Sequence, residues 1–449
     1  MKRIIGWLTN RSRMQIIAIG FFLIILIGAL LLMLPIASRT GTVTPFGTTL
    51  FTATSSTCVT GLILVDTFTH WSLFGQIVIL CLIQIGGLGF ITFGFVISIL
   101  LGRKIGLRQR GMLKESMNVL DMNGIVKLAL VIIKGTIIIE GAGAVILSAC
   151  FIPKMGAATG IYYGIFHSIS AFCNAGFDLM GRYQPFSSLT GWYDNWAVIL
   201  TISLLIIIGG IGFFVWGDIA KHKWHIKAYA LHTKIVLTAT LVLVAGGALL
   251  FFLLENNNLF ADMSPSGKIL SSIFCSVTPR TAGFNSVNYP DLTVGSKFLS
   301  VILMFIGGAP GSTAGGIKVT TIAVLILYLR ATLTRTESIN IYKRRLELDA
   351  VTKSTAVFCV NLFCVLIGTF LICAIEQFDL MDVLFEVVSA MSTVGVSLGI
   401  TSHLSLIPQL ILIFLMYIGR VGSLSFALSF TDKKKLSHIM QPKERISIG

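Results

Sequence analysis

Four short segments of the chain carry residues able to coordinate a cation. Phe51 to Leu62 reads FTATSSTCVTGL, a Thr- and Ser-rich run that reaches Gly61 between two long apolar stretches. Three more segments match it when a glycine is placed ten residues after an apolar residue: Phe166 to Phe177 (FHSISAFCNAGF), Ile273 to Phe284 (IFCSVTPRTAGF) and Phe385 to Val396 (FEVVSAMSTVGV). The glycines Gly61, Gly176, Gly283 and Gly395 are 115, 107 and 112 residues apart. A cation leaving water needs its hydration oxygens replaced, and backbone carbonyls do this where glycine frees the chain from side-chain restraint. The residues before each glycine would form a short helix that ends near the bilayer midplane, its negative dipole end toward the ion. One such loop alone reads as an ordinary extramembrane turn, whereas four at a near-constant period point to a repeated pore loop.

The candidate coordinating residues are Thr57, Cys58, Val59, Thr60 and Gly61; Cys173, Asn174, Ala175 and Gly176; Arg280, Thr281, Ala282 and Gly283; and Ser392, Thr393, Val394 and Gly395. A monovalent cation at this filter is the one metal expected. Arg280 would oppose a cation if it faced the path, so it is expected to point away and brace the filter from behind.

A second motif keeps step with the first. Ile85 to Gly89 reads IGGLG, Ile208 to Gly212 IGGIG, and Ile418 to Gly422 IGRVG, while Ile306 opens IGGAPGSTAGG. The first glycine of each lies 25, 33, 24 and 24 residues after its filter glycine, in chain order. In the first two copies paired glycines suit close helix packing. The third holds Gly307, Gly308, Ala309, Pro310, Gly311, Ser312, Thr313, Ala314, Gly315 and Gly316, which cannot continue as a helix through lipid. It should break the sixth span with a loop that borders water or protein. That loop, Lys318 and Arg420 form a candidate gate. Arg420 offers five N–H donors to the freed carbonyls, with a structural brace to Asp218 or Glu140 as the alternative.

These motifs need membrane-spanning elements to hold them. The chain has 449 residues, 55% hydrophobic and only 12% charged, with mean hydropathy +0.89. Apolar runs near residues 14 to 34, 73 to 101, 125 to 152, 195 to 219, 232 to 254, 297 to 329, 354 to 375 and 407 to 430 predict eight spans. The predicted fold is an all-α polytopic membrane protein of four helix–pore loop–helix repeats with four-fold pseudosymmetry. Repeat one covers 1–124 (pore loop 46–66) and repeat two 125–230 (pore loop 160–180). Repeat three covers 231–352 (pore loop 265–287, second helix broken at 307–316), and repeat four 353–449 (pore loop 380–399) with a cytoplasmic tail.

The net charge of +15 is distributed along the chain in a way that excludes a nucleic-acid partner. Of the 34 lysines and arginines, 25 fall in clusters at 2–13, 103–127, 221–234, 330–353 and 433–445. By the positive-inside rule these gaps and both termini are cytoplasmic. Attraction to anionic membrane lipid accounts for the clusters, as does an acidic or nucleotide-binding cytosolic partner. The opposite gaps hold more acid than base, including Asp66, Asp178, Glu255 and Glu386. An acidic vestibule would concentrate cations, and scattered solvated loop charge reads equally well. The eight cysteines sit singly with no CxxC pair, as small core residues. The first apolar run reads as a retained helix rather than a cleaved signal.

No enzyme is expected. None of the seven histidines falls in an HExxH pattern or beside a carboxylate pair, and His222 and His225 lie among Lys221, Lys223 and Trp224 at a membrane edge. Intramembrane ionisable groups are costly and hence informative. Glu140, midway through the third span, suggests an alternative: an ion-coupled secondary transporter with alternating access. A buried acid satisfied by a neighbouring helix is the competing account.

The four glycine-bearing pore loops between paired helices, with GGAPGSTAGGIK in the third unit and GRVG in the fourth, resemble the Trk/Ktr/HKT superfamily of potassium transporters, nearest its bacterial Ktr membrane subunits. The resemblance covers essentially the whole chain. It implies potassium uptake across the bacterial cell membrane through one channel-like path per chain, and a homodimer. It further implies potassium ion as substrate, sodium ion as activator, and no covalently bound cofactor. Nucleotide would sit on a cytosolic ring of regulatory subunits (KtrA type).

Overall fold

The computed structural model describes residues 13–89, 111, 125–336, 338–423 and 426. The described residues are mostly helical and build one unit four times. The first unit comprises α1 (Arg13–Met33), α2 (Phe46–Cys58) and α3 (Leu73–Leu88). In the second, α4 (Ile125–Met155) and α5 (Ala157–Phe172) precede α6 (Trp196–Gly210) and α7 (Phe213–His222). The third holds α8 (Leu231–Glu255), α9 (Pro265–Val277), α10 (Val294–Phe305) and α11 (Val319–Leu333). A two-residue-per-strand hairpin, Asn340–Ile341 against Arg344–Arg345, leads to the fourth unit: α12 (Leu348–Ile375), α13 (Leu380–Met391) and α14 (Leu406–Val421).

Burial sorts these helices into layers. In α1, α4, α8 and α12 only 28% of the apolar window is buried, and each is long and apolar enough to cross a membrane. Their outer faces carry exposed apolar side chains such as Ile138, Val145, Leu241 and Phe370, which suits lipid as solvent. The short helices α2, α5, α9 and α13 lie inside, and nine of the thirteen residues of α2 are buried although most are Thr or Ser. Several of the α2 hydroxyls are satisfied within the helix: Thr52, Thr54 and Ser56 donate to the carbonyls four residues back. A polar helix can therefore sit in the interior with most of its polar groups paired.

The second helices differ from the expectation of eight spans of which only the sixth is broken. Their starts follow local rules: Ser72, Asn195 and Thr293 accept first-turn N–H groups of α3, α6 and α10 as N-caps. The last glycine of the repeated motif has positive φ in three units, at Gly89, Gly212 and Gly422, and α3, α6 and α14 stop there. Beyond Gly212 the chain turns by 95° into α7. The break expected in the third unit is present as a loop between α10 and α11, and the second unit is broken as well. Residues 90–110, both termini and most of the 103–127 basic connector lie outside the described residues.

Close approach between α4 and α5 requires Gly164. A Cβ there would stand 2.7 Å from the Ser148 nitrogen and 2.8 Å from the Ala144 carbonyl oxygen, both backbone atoms that cannot yield. Gly164→Val should destabilise the protein by about 1–3 kcal/mol through overpacking. A lowered melting midpoint in detergent, with Gly141→Val as a control in open space, checks this.

Candidate cation filter and intramembrane loop

The inner helices end at one place, and each hands over to its glycine in the same way. The residue two before the glycine is left-handed in every unit: Val59 at φ 58°, Asn174 at 60°, Thr281 at 67° and Thr393 at 52°. The glycines follow at φ 97°, 71°, 85° and 93°. Left-handed backbone is costly for a β-branched residue, so its presence at Val59, Thr281 and Thr393 is strain held by the surroundings. In the first, second and fourth units the residue before the glycine donates its N–H back to the carbonyl of Ser55, Ser170 or Ser389, each at 2.8 Å. In the third, Ala282 donates to Thr278 at 3.0 Å, within the turn that contains Pro279. Alternating hand along the strand turns successive peptide groups to one side, the geometry by which backbone lines an ion path.

Hydroxyls from the inner helices fasten these strands. Ser55 and Ser389 accept the N–H groups of Gly61 and Gly395, both at 3.0 Å. Ser170 donates to the Phe177 carbonyl at 2.7 Å, and Thr278 to the Phe284 carbonyl at 2.6 Å. Sequence reasoning missed this role. A hydroxyl six residues before the glycine in three units, and five before it in the other, was the available signal.

The four glycines close into a ring. A Cβ on Gly61 would lie 2.5 Å from the Ala175 carbonyl oxygen, one on Gly176 would lie 2.7 Å from that of Ala282, and one on Gly283 would lie 2.6 Å from that of Val394. A Cβ on Gly395 would meet the Thr60 carbonyl oxygen and complete the circle. The units therefore stand in chain order around a centre, with the second opposite the fourth. The hydroxyl oxygens of Thr57, Thr60 and Thr393 are buried here without a hydrogen-bond partner.

Two candidate side chains turn away from the ring. The Arg280 guanidinium donates to Thr240 of α8 at 3.2 Å, and the Cys173 thiol points to Gln84 at 3.5 Å. Behind Cys173, Glu140 is buried and receives the Gln84 amide at 3.2 and 3.3 Å on its two oxygens. Glu140 is thus an acid satisfied by a neighbouring helix, one of the two accounts its position allowed.

The segment from Gly307 to Lys318 lies beneath the ring and touches all four units. Within its own unit Gly307 donates to the Ile317 carbonyl at 3.0 Å, and the Gly308 carbonyl accepts from Val319 at 2.9 Å. Ala309 and Thr313 donate to Gly210 and Gly209 at 2.9 and 3.3 Å, while Phe213 donates to the Gly311 carbonyl at 2.8 Å. The Ser312 hydroxyl closes on the Ala309 carbonyl at 2.6 Å, and the Thr313 hydroxyl bonds the Phe172 carbonyl at 3.2 Å. Gly315 and Gly316 pack on Thr393 and Ser392, and Gly316 donates to Gly419 at 3.3 Å. Arg420 completes the set: it donates to the carbonyls of Thr313 and Gly86, and to that of Gly87 at 2.9 Å. Among the described residues no carboxylate pairs with Arg420. Asp218 instead faces His222 and the Ala230 N–H, each at 2.9 Å. Lys318 donates to Ala314 and Gly315 at 2.7 and 3.2 Å. A cavity of about 190 Å³ adjoins this loop, lined in part by Gly87, Phe213, Ser312, Lys318 and Arg420.

The repeated glycines of the second helices explain how this layer meets the filter. A Cβ at Gly86, Gly209 or Gly419 would strike the carbonyl oxygen of Thr57, Phe172 or Met391, the residue four before the filter glycine in its own unit. Close packing, expected for the first two copies, holds in the fourth as well. Arg420→Gln should lower the melting midpoint, because charged hydrogen bonds are worth about 1.5–3 kcal/mol each and three buried carbonyls lose a donor. Faster thiol labelling of Ser312→Cys in that background would report the loosened loop.

The family model described as "TrkH: Cation transport protein" matches residues 8–439. Over 439 residues the chain is 41% identical to "Ktr system potassium uptake protein B" of Bacillus subtilis, covering 97% of this chain and 96% of the relative. It is 40% identical over 445 residues to "Potassium/sodium uptake protein NtpJ" of Enterococcus hirae, covering 98% and 97%. The crystal structure of the potassium transporter TrkH from Vibrio parahaemolyticus superposes with TM-score 0.74 at 20% identity, covering 94% of this chain and 86% of that one. It shares the fold.

Proposed function

The chain belongs to the TrkH family of cation transport proteins, and from that premise we propose that it takes potassium into the cell through the ring of filter glycines. The observation that carries this reading is the closed circle in which each glycine abuts the carbonyl of the next unit. Four strands converging on one point, three of them strained, have no use in a purely structural core, and carbonyl rings replace a cation's water. The relatives' names point the same way: one is a potassium uptake protein and another a potassium/sodium uptake protein. Potassium is the substrate and sodium the activator in this reading.

The loop from Gly307 to Gly316 is the gate. It lies across the path below the filter, Arg420 pins it to the first unit, and Lys318 adds a second positive charge that opposes a cation there. Opening moves the loop aside when the cytoplasmic parts of the second helices shift. The name "Ktr system" attached to a 41% identical relative supports a cytosolic regulatory subunit as the source of that shift. The nucleotide is bound by that subunit, two copies of this chain pair in the membrane, and both termini face the cytoplasm. Glu140, held by Gln84, serves as a brace behind the second filter strand rather than as a coupling site.

Two measurements on purified protein in liposomes test this. Gly61→Ser and Gly283→Ser put a side chain against a neighbouring carbonyl, so potassium flux relative to sodium flux should fall while the protein still folds. An unchanged ratio in both variants removes the filter assignment. Removing Ala309 to Thr313, or substituting Arg420→Ala, should raise basal potassium flux and lessen its dependence on a regulator. Zero flux through a folded deletion variant would instead make the loop part of the conducting path.

A further inference from the structure

The internal repeat isolates a position that neither the ring nor the loop uses. Nine residues before the filter glycine, the inner helices carry Thr52, His167, Phe274 and Glu386, all buried. Two of these are acceptors aimed at the strand that leaves the filter. His167 Nδ1 lies 2.7 Å from the Tyr163 carbonyl oxygen, which can only accept, so Nδ1 carries the proton. Nε2 is then a bare acceptor, and it takes the backbone N–H of Leu179 at 3.4 Å, three residues beyond Gly176. Glu386 does the same for Leu398, three residues beyond Gly395, accepting its N–H at 3.2 Å on Oε1. The same oxygen accepts the Ser397 hydroxyl, and Oε2 accepts that of Thr401 at 2.9 Å.

The other two units lack this contact. Thr52 spends its hydroxyl on the Thr48 carbonyl at 2.9 Å, and Phe274 has no polar atom. The imidazole also bears on a neighbouring unit, since its ring stands 6.4 Å from that of Phe284, the residue after Gly283. Phe151, Tyr163 and Phe166 close the remaining sides at 5.6, 5.8 and 6.0 Å. Both acceptors are therefore buried, held in one orientation, and set at opposite corners of the ring.

We infer that His167 and Glu386 are positioning residues that hold the outgoing strands of the filter at two opposite corners and thereby set its preference for potassium over sodium. The inference rests on the reading of the ring as the filter. A carbonyl ring discriminates between cations of different radius only while its peptide groups resist closing onto the smaller one. The hydroxyl bonds from the inner helices fasten each strand at or next to its glycine. An N–H held three residues farther on prevents the peptides between from rotating. In the second and fourth units this outer hold comes from a side chain of the unit's own inner helix, so it moves with the helix that aims at the ion.

The test uses the full chain in liposomes, with potassium and sodium fluxes measured under separately imposed gradients. His167→Phe keeps a planar apolar ring and removes the acceptor, whereas His167→Gln places an amide oxygen near the site of Nε2. Glu386→Met keeps the side-chain length and removes both acceptors, whereas Glu386→Gln retains an amide oxygen for the Leu398 N–H. His167→Phe and Glu386→Met should lower the potassium-to-sodium flux ratio roughly ten-fold, the scale of one lost buried hydrogen bond. His167→Gln should restore most of the ratio. A lower total flux at constant ratio makes both residues structural only and overturns the inference, as does an unchanged ratio in folded variants when Gly176→Ser lowers it. If Gly176→Ser leaves the ratio unchanged as well, the filter reading itself fails and this inference goes with it. Should His167→Phe not fold, Glu386→Met decides by the same ratio.

Discussion

A chain that leaves the helix at membrane depth strands peptide groups where there is no water to receive them. This constraint governs the centre of the molecule. Four helices end there and four strands depart from them, and each must find donors and acceptors within the protein. The hydroxyls of Ser55, Ser170, Thr278 and Ser389 meet that need at the filter, and Arg420 and Lys318 meet it in the loop below. Their chemistry follows from the demand. Short neutral hydroxyls serve at the ring of glycines, and cationic donors serve in the loop beneath it.

The same constraint ties the two layers together. The second helices come so near the inner-helix ends that only glycine fits at Gly86, Gly209 and Gly419. The loop then bonds to Gly209, Gly210 and Gly419 and, through Arg420, to Gly86 and Gly87. A shift of any second helix is therefore felt at the loop and at the carbonyl four residues before a filter glycine. Packed contacts of this kind have discrete arrangements rather than a continuum, so a displacement of one layer would pass to the other in steps.

Buried charge in the interior follows a different logic from charge at the surface. Arg420, Lys318 and Arg280 are paired with carbonyls or a hydroxyl, and Glu140 with an amide; among the described residues none of the four has an opposite charge as partner. Breaking a buried ion pair leaves an uncompensated charge, whereas a guanidinium on several carbonyls can release one and keep the others.

The sequence by itself determined the four-unit plan, because a repeated glycine and a second glycine motif in step with it survive in the residue order. It also located the loop in the third unit, since five glycines and a proline between Gly307 and Gly316 cannot be helix in lipid. The partners of Arg280, Glu140 and Arg420 were decided only when helices 40, 56 and up to 334 residues apart in the chain came together. Likewise, Gly89, Gly212 and Gly422 stop their helices, although isolated glycines in an apolar run are compatible with an unbroken span. The reason is physical. Periodicity records what each segment requires of its solvent, whereas the partner of a buried polar group is set by which carbonyls the packing leaves unsatisfied. His167 and Glu386 share a position in the repeat but no chemistry visible along the chain. Only the folded ring places both against the N–H three residues beyond a glycine.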